Sequence, residues 1–145
     1  MAMFFSGCTS VPKQIGPKQT SHWAYSPNTM SVHPLSRIQT NGDSTSVVAH
    51  IAMLDGDGFA CSGVGTLILR IVAQNGTVLQ EEVVDLQNPE TNREFFDAVT
   101  RTYRLPNLRV PNDTKHAKLS ATFNSVGDKG IRSKASTLIN HDNNE

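Results

Sequence analysis

The chain has 145 residues, 13 of them basic and 13 acidic, with a formal net charge of zero and 37% hydrophobic residues, enough for one folded domain with a real core. No run of like charge appears, which argues against nucleic acid as the main partner, because phosphate binding needs clustered Lys and Arg. No segment approaches the roughly 18 apolar residues of a membrane-spanning helix, so the folded part is expected to be soluble.

The first element is Phe5-Ser6-Gly7-Cys8, which resembles the lipobox of bacterial lipoproteins. There, small residues precede a Cys that is lipidated and becomes the first residue of the mature protein. A peptidase working at the membrane surface needs small residues before the Cys and an apolar segment to hold it there, and Ser6 and Gly7 fit. Phe5 stands where Leu is usual, and the apolar stretch is shorter than the roughly 7–15 residues of a working signal. The true start is therefore expected upstream of Met1, with residues 1–8 as the end of the signal and Cys8 as the lipidation site. Two or three acyl chains, at about 0.8 kcal/mol per buried methylene, hold a protein firmly to a bilayer. Thr9 is not the Asp that resembles an inner-membrane retention signal, so an outer-membrane or surface destination is open, as is the periplasmic side.

Residues 9–30 contain Pro12, Pro17 and Pro27 and no sustained apolar period, so they cannot bury enough surface to offset their ordering entropy. They read as a tether spanning roughly 25 Å as a flexible coil. Trp23 and Tyr25 are its exceptions and suggest docking onto the domain or the membrane interface, with packing against the domain the favoured expectation. Cys61 lacks a His or second Cys at ligand spacing, which makes it an inert, half-buried thiol. A disulfide between Cys8 and Cys61 is the structural competitor to lipidation.

Period-2 alternation then dominates residues 31–140. A first strand is expected over Ser31 to Ile38. Thr45 to Leu54 places Val47, Ala49, Ile51 and Met53 on one face, and Gly65 to Ala73 does the same with Leu67, Leu69 and Ile71. Asn75-Gly76 signals a type I′ hairpin, and Thr77 to Leu86 is the returning strand, with Glu81 and Glu82 near its middle. Asn88 to Asn92 reads as a loop, with room for one helical turn through Glu94 to Phe96. Thr100 to Leu108 is an edge or terminal strand because it contains Pro106. Lys118 to Phe123 turns Leu119, Ala121 and Phe123 inward. After a turn at Gly127 to Gly130, Ile131 to Ile139 is the last strand, with Ile131, Ala135 and Ile139 inward, and residues 141–145 are a polar tail. Seven strands at this spacing predict an all-β, antiparallel sandwich of Ig-like or transthyretin-like type.

The runs Val32-His-Pro-Leu-Ser36, Leu54-Asp-Gly-Asp-Gly58, Gly65-Thr-Leu-Ile-Leu-Arg70 and Phe96-Asp-Ala-Val-Thr-Arg-Thr-Tyr-Arg-Leu105 resemble small β-sandwich lipoproteins of planctomycete-type bacteria. The resemblance covers most of the domain. It implies a sandwich fold in the cell envelope and supplies no catalytic residues.

Asp55-Gly-Asp57-Gly58 resembles the start of a calcium loop, but an EF-hand needs oxygen ligands at positions 1, 3 and 5, Gly at 6 and Glu at 12. Positions 5, 6 and 12 are Phe59, Ala60 and Thr66, so that reading fails. A looser site with Asp55, Asp57 and Asp97 or Asp128 is the alternative to a plain Asp-Gly turn. The five histidines, His22, His33, His50, His116 and His141, are scattered, and no HExxH or GxSxG occurs. The sequence therefore predicts a lipid-anchored envelope module, not an enzyme and without cofactor. It would meet the membrane through the lipid on Cys8 and an envelope protein or polysaccharide through its sheet faces or edges. The alternatives are a calcium-dependent, C2-like membrane- or carbohydrate-binding domain and a small hydrolase whose site assembles in space.

Overall fold

The computed structural model of the chain describes residues 26–126 and 130–141. Cys8, Trp23, Tyr25, His22, Asp128 and residues 142–145 lie outside the described residues. In chain order the elements are β1 (Thr29–Val32), β2 (Arg37–Asn41), β3 (Ser44–Leu54), β4 (Gly65–Val72), β5 (Val78–Asp85), α1 (Pro89–Phe95), β6 (Phe96–Asp97), β7 (Thr102–Val110), β8 (His116–Ser125), β9 (Ile131–Arg132) and β10 (Ser136–Ile139). They form two antiparallel sheets packed face to face. In sheet A, β3 is flanked by β1 and β2 on one side and β7 on the other, with β6 beyond β7. In sheet B, β8 is flanked by β9 and β10 on one side and β4 on the other, with β5 beyond β4.

Alternation explains which face of each strand is buried, since successive side chains point to opposite faces. Val47, Ala49, Ile51 and Met53 of β3, Leu67, Leu69 and Ile71 of β4, and Leu119, Ala121 and Phe123 of β8 are all at most 2% exposed. These are the inward sets that the periodicity predicts. With β1 and β2 counted as one interrupted edge strand, and β9 and β10 as another, the seven expected strands are present and β6 is an eighth. Numbered this way, sheet A runs 1-2-6-5 and sheet B runs 8-7-3-4. That order is the immunoglobulin arrangement, strands A-B-E-D facing G-F-C, with one further edge strand beyond C.

Both interrupted edges correct the sequence reading. The strand expected over Ser31 to Ile38 breaks at His33–Ser36, where Pro34 supplies no N–H and the Ser36 N–H closes a turn on the His33 carbonyl. The Ser36 hydroxyl fills the gap in the ladder, accepting from the His50 N–H at 2.9 Å and donating to the His50 carbonyl at 3.1 Å. The last strand breaks in the same manner: Ser133 donates its N–H to the Ala121 carbonyl and accepts the Ala121 N–H on its hydroxyl at 2.8 Å.

The two breaks differ in parity, and parity decides what faces the core. Between the pairs Val32↔Ile51 and Arg37↔Val48 the edge uses two more residues than β3, an even number, so Met30 and Ile38 both point inward. Between Arg132↔Thr122 and Ser136↔Leu119 the edge uses one more residue than β8. A one-residue insertion flips every later side chain. Leu138 is therefore buried, while Ala135 and Ile139, expected inward, are exposed.

Three connections also differ from expectation. The 73–77 hairpin exists, but Gly76 alone has a positive φ, at 90°, and its N–H bonds the Ala73 carbonyl. This is a type I turn followed by a left-handed glycine bulge, where type I′ needs two positive φ angles. Residues 89–95 are helical beyond the expected loop, because the Asn88 side chain caps the N–H groups of Glu90 and Thr91 and Pro89 opens the first turn. Pro106 lies beside a register shift of the β3–β7 pair and past the two residues that β6 covers, so its missing N–H faces an open edge.

Two tight contacts lock the end of the sandwich where β3 passes to β4. The Tyr103 hydroxyl accepts from the Gly63 N–H at 2.9 Å and donates to Asn92 Oδ1 at 2.8 Å, and Asn92 Nδ2 donates to the Gly63 and Leu86 carbonyls. This network ties α1 to the core. At Gly65 a β-carbon would meet the Asn124 carbonyl oxygen and stand 2.8 Å from the Ser125 Cα, so only glycine lets β4 start that close to β8.

Candidate functional site

Of the residues with predicted chemistry, Asp55 is 6% exposed, and its Oδ1 accepts the N–H groups of Asp57 and Phe59, each at 3.0 Å. It organises the β3–β4 loop. Asp97 does the same for the turn before β7, accepting the Val99 N–H at 2.9 Å and the Thr100 N–H at 3.4 Å. The Val99 amide, foremost, holds the Asp97 carboxyl below the ordinary range. Asp57 is exposed at the tip of its loop. Among the described residues no three His, Cys, Asp or Glu side chains stand close enough to share a cation. Cys61 is half-buried, and burial, then the Asp55 charge, pushes its thiol up, which leaves less reactive thiolate.

The polar arrangement that the structure does bring together is the outer face of sheet A, around His50. Alternation points His50 and Val48 outward, yet they are only 4% and 1% exposed. Register places Arg37 beside Val48 and Arg104 beside His50. On the other flank the His33 N–H bonds the His50 carbonyl, with the two rings 6.4 Å apart. Arg109 lies one row further along, beside Ser46, which faces Gln39 on its other side. The three guanidiniums are exposed. From a strand spacing of about 4.8 Å and a rise of about 3.3 Å per residue, their Cα atoms are roughly 12–16 Å apart.

A short relay sets the state of the imidazole. The Thr100 hydroxyl donates to the Asp97 carboxylate. Thr102 Oγ1 lies 2.8 Å from Thr100 Oγ1, and His50 Nδ1 lies 3.0 Å from Thr102 Oγ1. With the carboxylate as pure acceptor, each hydroxyl donates toward Asp97 and Nδ1–H donates to Thr102, which leaves Nε2 unprotonated. Burial foremost, then Arg104, His33 and Arg37, push the His50 pKa down, against a smaller opposing pull from Asp97. His50 is thus a neutral ring tying β3 to β7. Ser36 is adjacent but bonds the His50 backbone, not its ring, and Thr102 is buried at 2% exposure. Neither hydroxyl stands as an accessible nucleophile against a base.

None of Arg37, Arg104 or Arg109 has a carboxylate at salt-bridge distance among the described residues, whereas Arg70 on sheet B is paired with Glu81 at 2.8 Å. Arg37 instead donates to the Leu35 carbonyl and to Gln39. Sequence reasoning missed this cluster because its members come from β2 and two separated positions of β7. It did expect His50 in a strand. Comparison with family models, with curated proteins and with solved structures finds no match to this chain.

Proposed function

We propose that the protein is a lipid-anchored binding module of the cell envelope, held by acyl chains on Cys8, whose outer face of sheet A engages an acidic polysaccharide. The observation that carries this reading is the set of three exposed arginines on one sheet face, beside His33 and His50, none with a carboxylate at salt-bridge distance among the described residues. Arginine suits it, because its planar fork matches carboxylate or sulfate bidentately. The same face offers half-buried Gln39 and Ser46, and none of the most exposed apolar side chains, whereas a protein partner would favour an apolar anchor at the centre of the patch. No helix among the described residues is long and apolar enough to cross a membrane, so membrane attachment in this reading rests on the lipid.

The test is affinity electrophoresis in polygalacturonate and in neutral dextran. Retardation is expected in the acidic polymer alone, weakening with salt, and lost in the triple variant Arg37→Gln/Arg104→Gln/Arg109→Gln. Equal retardation by dextran, or an unaffected triple variant, would sink the assignment of this face. Lipid attachment is read separately, as the acyl mass on the peptide that begins at Cys8 and its absence in Cys8→Ser.

A further inference from the structure

The large apolar side chains on the surface are unevenly placed. The four most exposed among the described residues are Val99 at 92%, Phe59 at 70%, Val126 at 69% and Val64 at 62%. The other four, on the sheet faces and the 33–36 turn, are 44–59% exposed. Scattered exposed apolar residues need no explanation. These four are not scattered. Phe59 and Val64 lie on the β3–β4 connection, Val99 on the turn between β6 and β7, and Val126 just after β8. Register puts all of these at one end: Leu54 bridges Ala60, Arg101 reaches the Ala60 carbonyl at 3.3 Å, and Gly65 pairs with Ser125.

Loop tips are ordinarily polar, and two of these are held in place. The carboxylate of Asp55 takes the Phe59 N–H, and that of Asp97 takes the Val99 N–H. Each aspartate thus fixes a turn that presents an apolar side chain to solvent. The described chain also enters at this end, where the Asn28 N–H bonds the Leu54 carbonyl and Thr29 pairs with Leu54. Only 17 residues separate Cys8 from Ser26, so in the lipid-anchor reading the attachment runs to this end of the sandwich and not to the opposite one.

We infer that the four tips Phe59, Val64, Val99 and Val126 form a membrane-seating end that inserts into the lipid interface beside the tether and stands the strands upright on the bilayer. Orientation rests on the lipid-anchor reading; the affinity of the tips for lipid does not. Asp57 and Arg101 flank the tips and the Asp55 and Asp97 carboxylates lie beneath them, so this end is not cationic, and contact with the acyl boundary, not attraction to anionic headgroups, drives a seating that added salt does not weaken. Upright seating leaves the outer face of sheet A turned sideways and accessible.

The test uses the full chain as Cys8→Ser, so that acyl chains do not mask weak binding, sedimented with vesicles of phosphatidylethanolamine and phosphatidylglycerol at three to one. Measurable binding is expected, falling at least ten-fold in Phe59→Asp/Val99→Asp. It should persist in Val83→Asp/Ile139→Asp, which places the same charges on sheet B. All variants should keep the parent's melting temperature, since the substituted side chains are exposed. A parent that does not sediment, a tip variant that sediments like the parent, or tip variants that change only the mass in gel filtration, which would mean a second copy seated there, would overturn the inference. Absence of an acyl mass on Cys8 would remove the anchor and leave the tips to be judged on the sedimentation alone.

Discussion

The outer faces of the two sheets are built from similar residues and behave differently. On sheet B, Arg70 lies against Glu81 with both Nε and Nη2 on Oε2, and its side chain is 55% exposed. On sheet A the guanidiniums of Arg37, Arg104 and Arg109 have no such partner among the described residues, and the ring between them is buried and neutral. A chain of 13 basic and 13 acidic residues can therefore carry a cationic face without any basic run, because neighbours on a sheet come from distant positions. Net charge tests for electrostatic steering, and says little about where the charges lie.

The contrast exists only while both sheets keep their register, so the largest effect comes from the shared core. Phe123 is fully buried, and Phe123→Ala is expected to cost about 3–5 kcal/mol in denaturant unfolding. A loss below about 1 kcal/mol would mean that the sheets do not close on this ring. Next is the buried ring of sheet A. His50→Ala removes the ring that donates to the buried Thr102 oxygen, leaving that hydroxyl only its bond to Thr100, and is expected to cost about 1–3 kcal/mol. Arg70→Ala on sheet B should cost less than about 1 kcal/mol. Equal losses would erase the distinction between the faces.

How much of this was readable in the sequence depends on whether a feature is local. β3, β4 and β8 follow from period-2 alternation alone. The parity of the last strand does not, because it turns on a single extra residue at Ser133–Ala135, and nothing local distinguishes Leu138 from Ile139 as the inward one. The helix was partly legible. Asn88-Pro89-Glu90 places a capping residue, Pro at the first helical position and an acid in the first turn, yet the surrounding polar residues favoured a loop. Asp55 was legible as a turn residue or a calcium ligand, and only geometry showed its oxygen on the Phe59 amide. The arginine cluster and the apolar tips were hidden for the same reason: each joins residues that only the topology makes neighbours. A large apolar residue inside an Asp- and Gly-rich turn, as in Asp57-Gly58-Phe59, was the one local hint.

Protonation offers a smaller, pH-resolved probe of the same contrast. The folded His50 pKa lies below its unfolded value of about 6.5, so the fold favours the neutral ring. Its contribution is complete above the unfolded pKa and is lost as pH falls through the window between 6.5 and the lower folded value. Melting temperature measured across pH 7.5 to 5 should decline, and His50→Gln should flatten the decline. An equal decline in the variant would assign the acid sensitivity to other groups.

The smallest effect belongs to the pair on sheet B. Arg70 and Glu81 sit opposite each other across β4 and β5, with side chains 55% and 43% exposed, so solvent screens their attraction and two flexible chains lose entropy to hold it. A double-mutant cycle with Arg70→Ala and Glu81→Ala should give a coupling of about 0.2–1 kcal/mol, shrinking further at high salt. On sheet A the triple arginine variant breaks no salt bridge among the described residues and only long, exposed hydrogen bonds of Arg37, so its stability should stay within about 0.5 kcal/mol of the parent while its polyanion binding disappears. If the triple variant were strongly destabilised instead, those arginines would be covering Val48 and His50 with their aliphatic stems. The cationic face would then owe its composition to packing as well as to recognition.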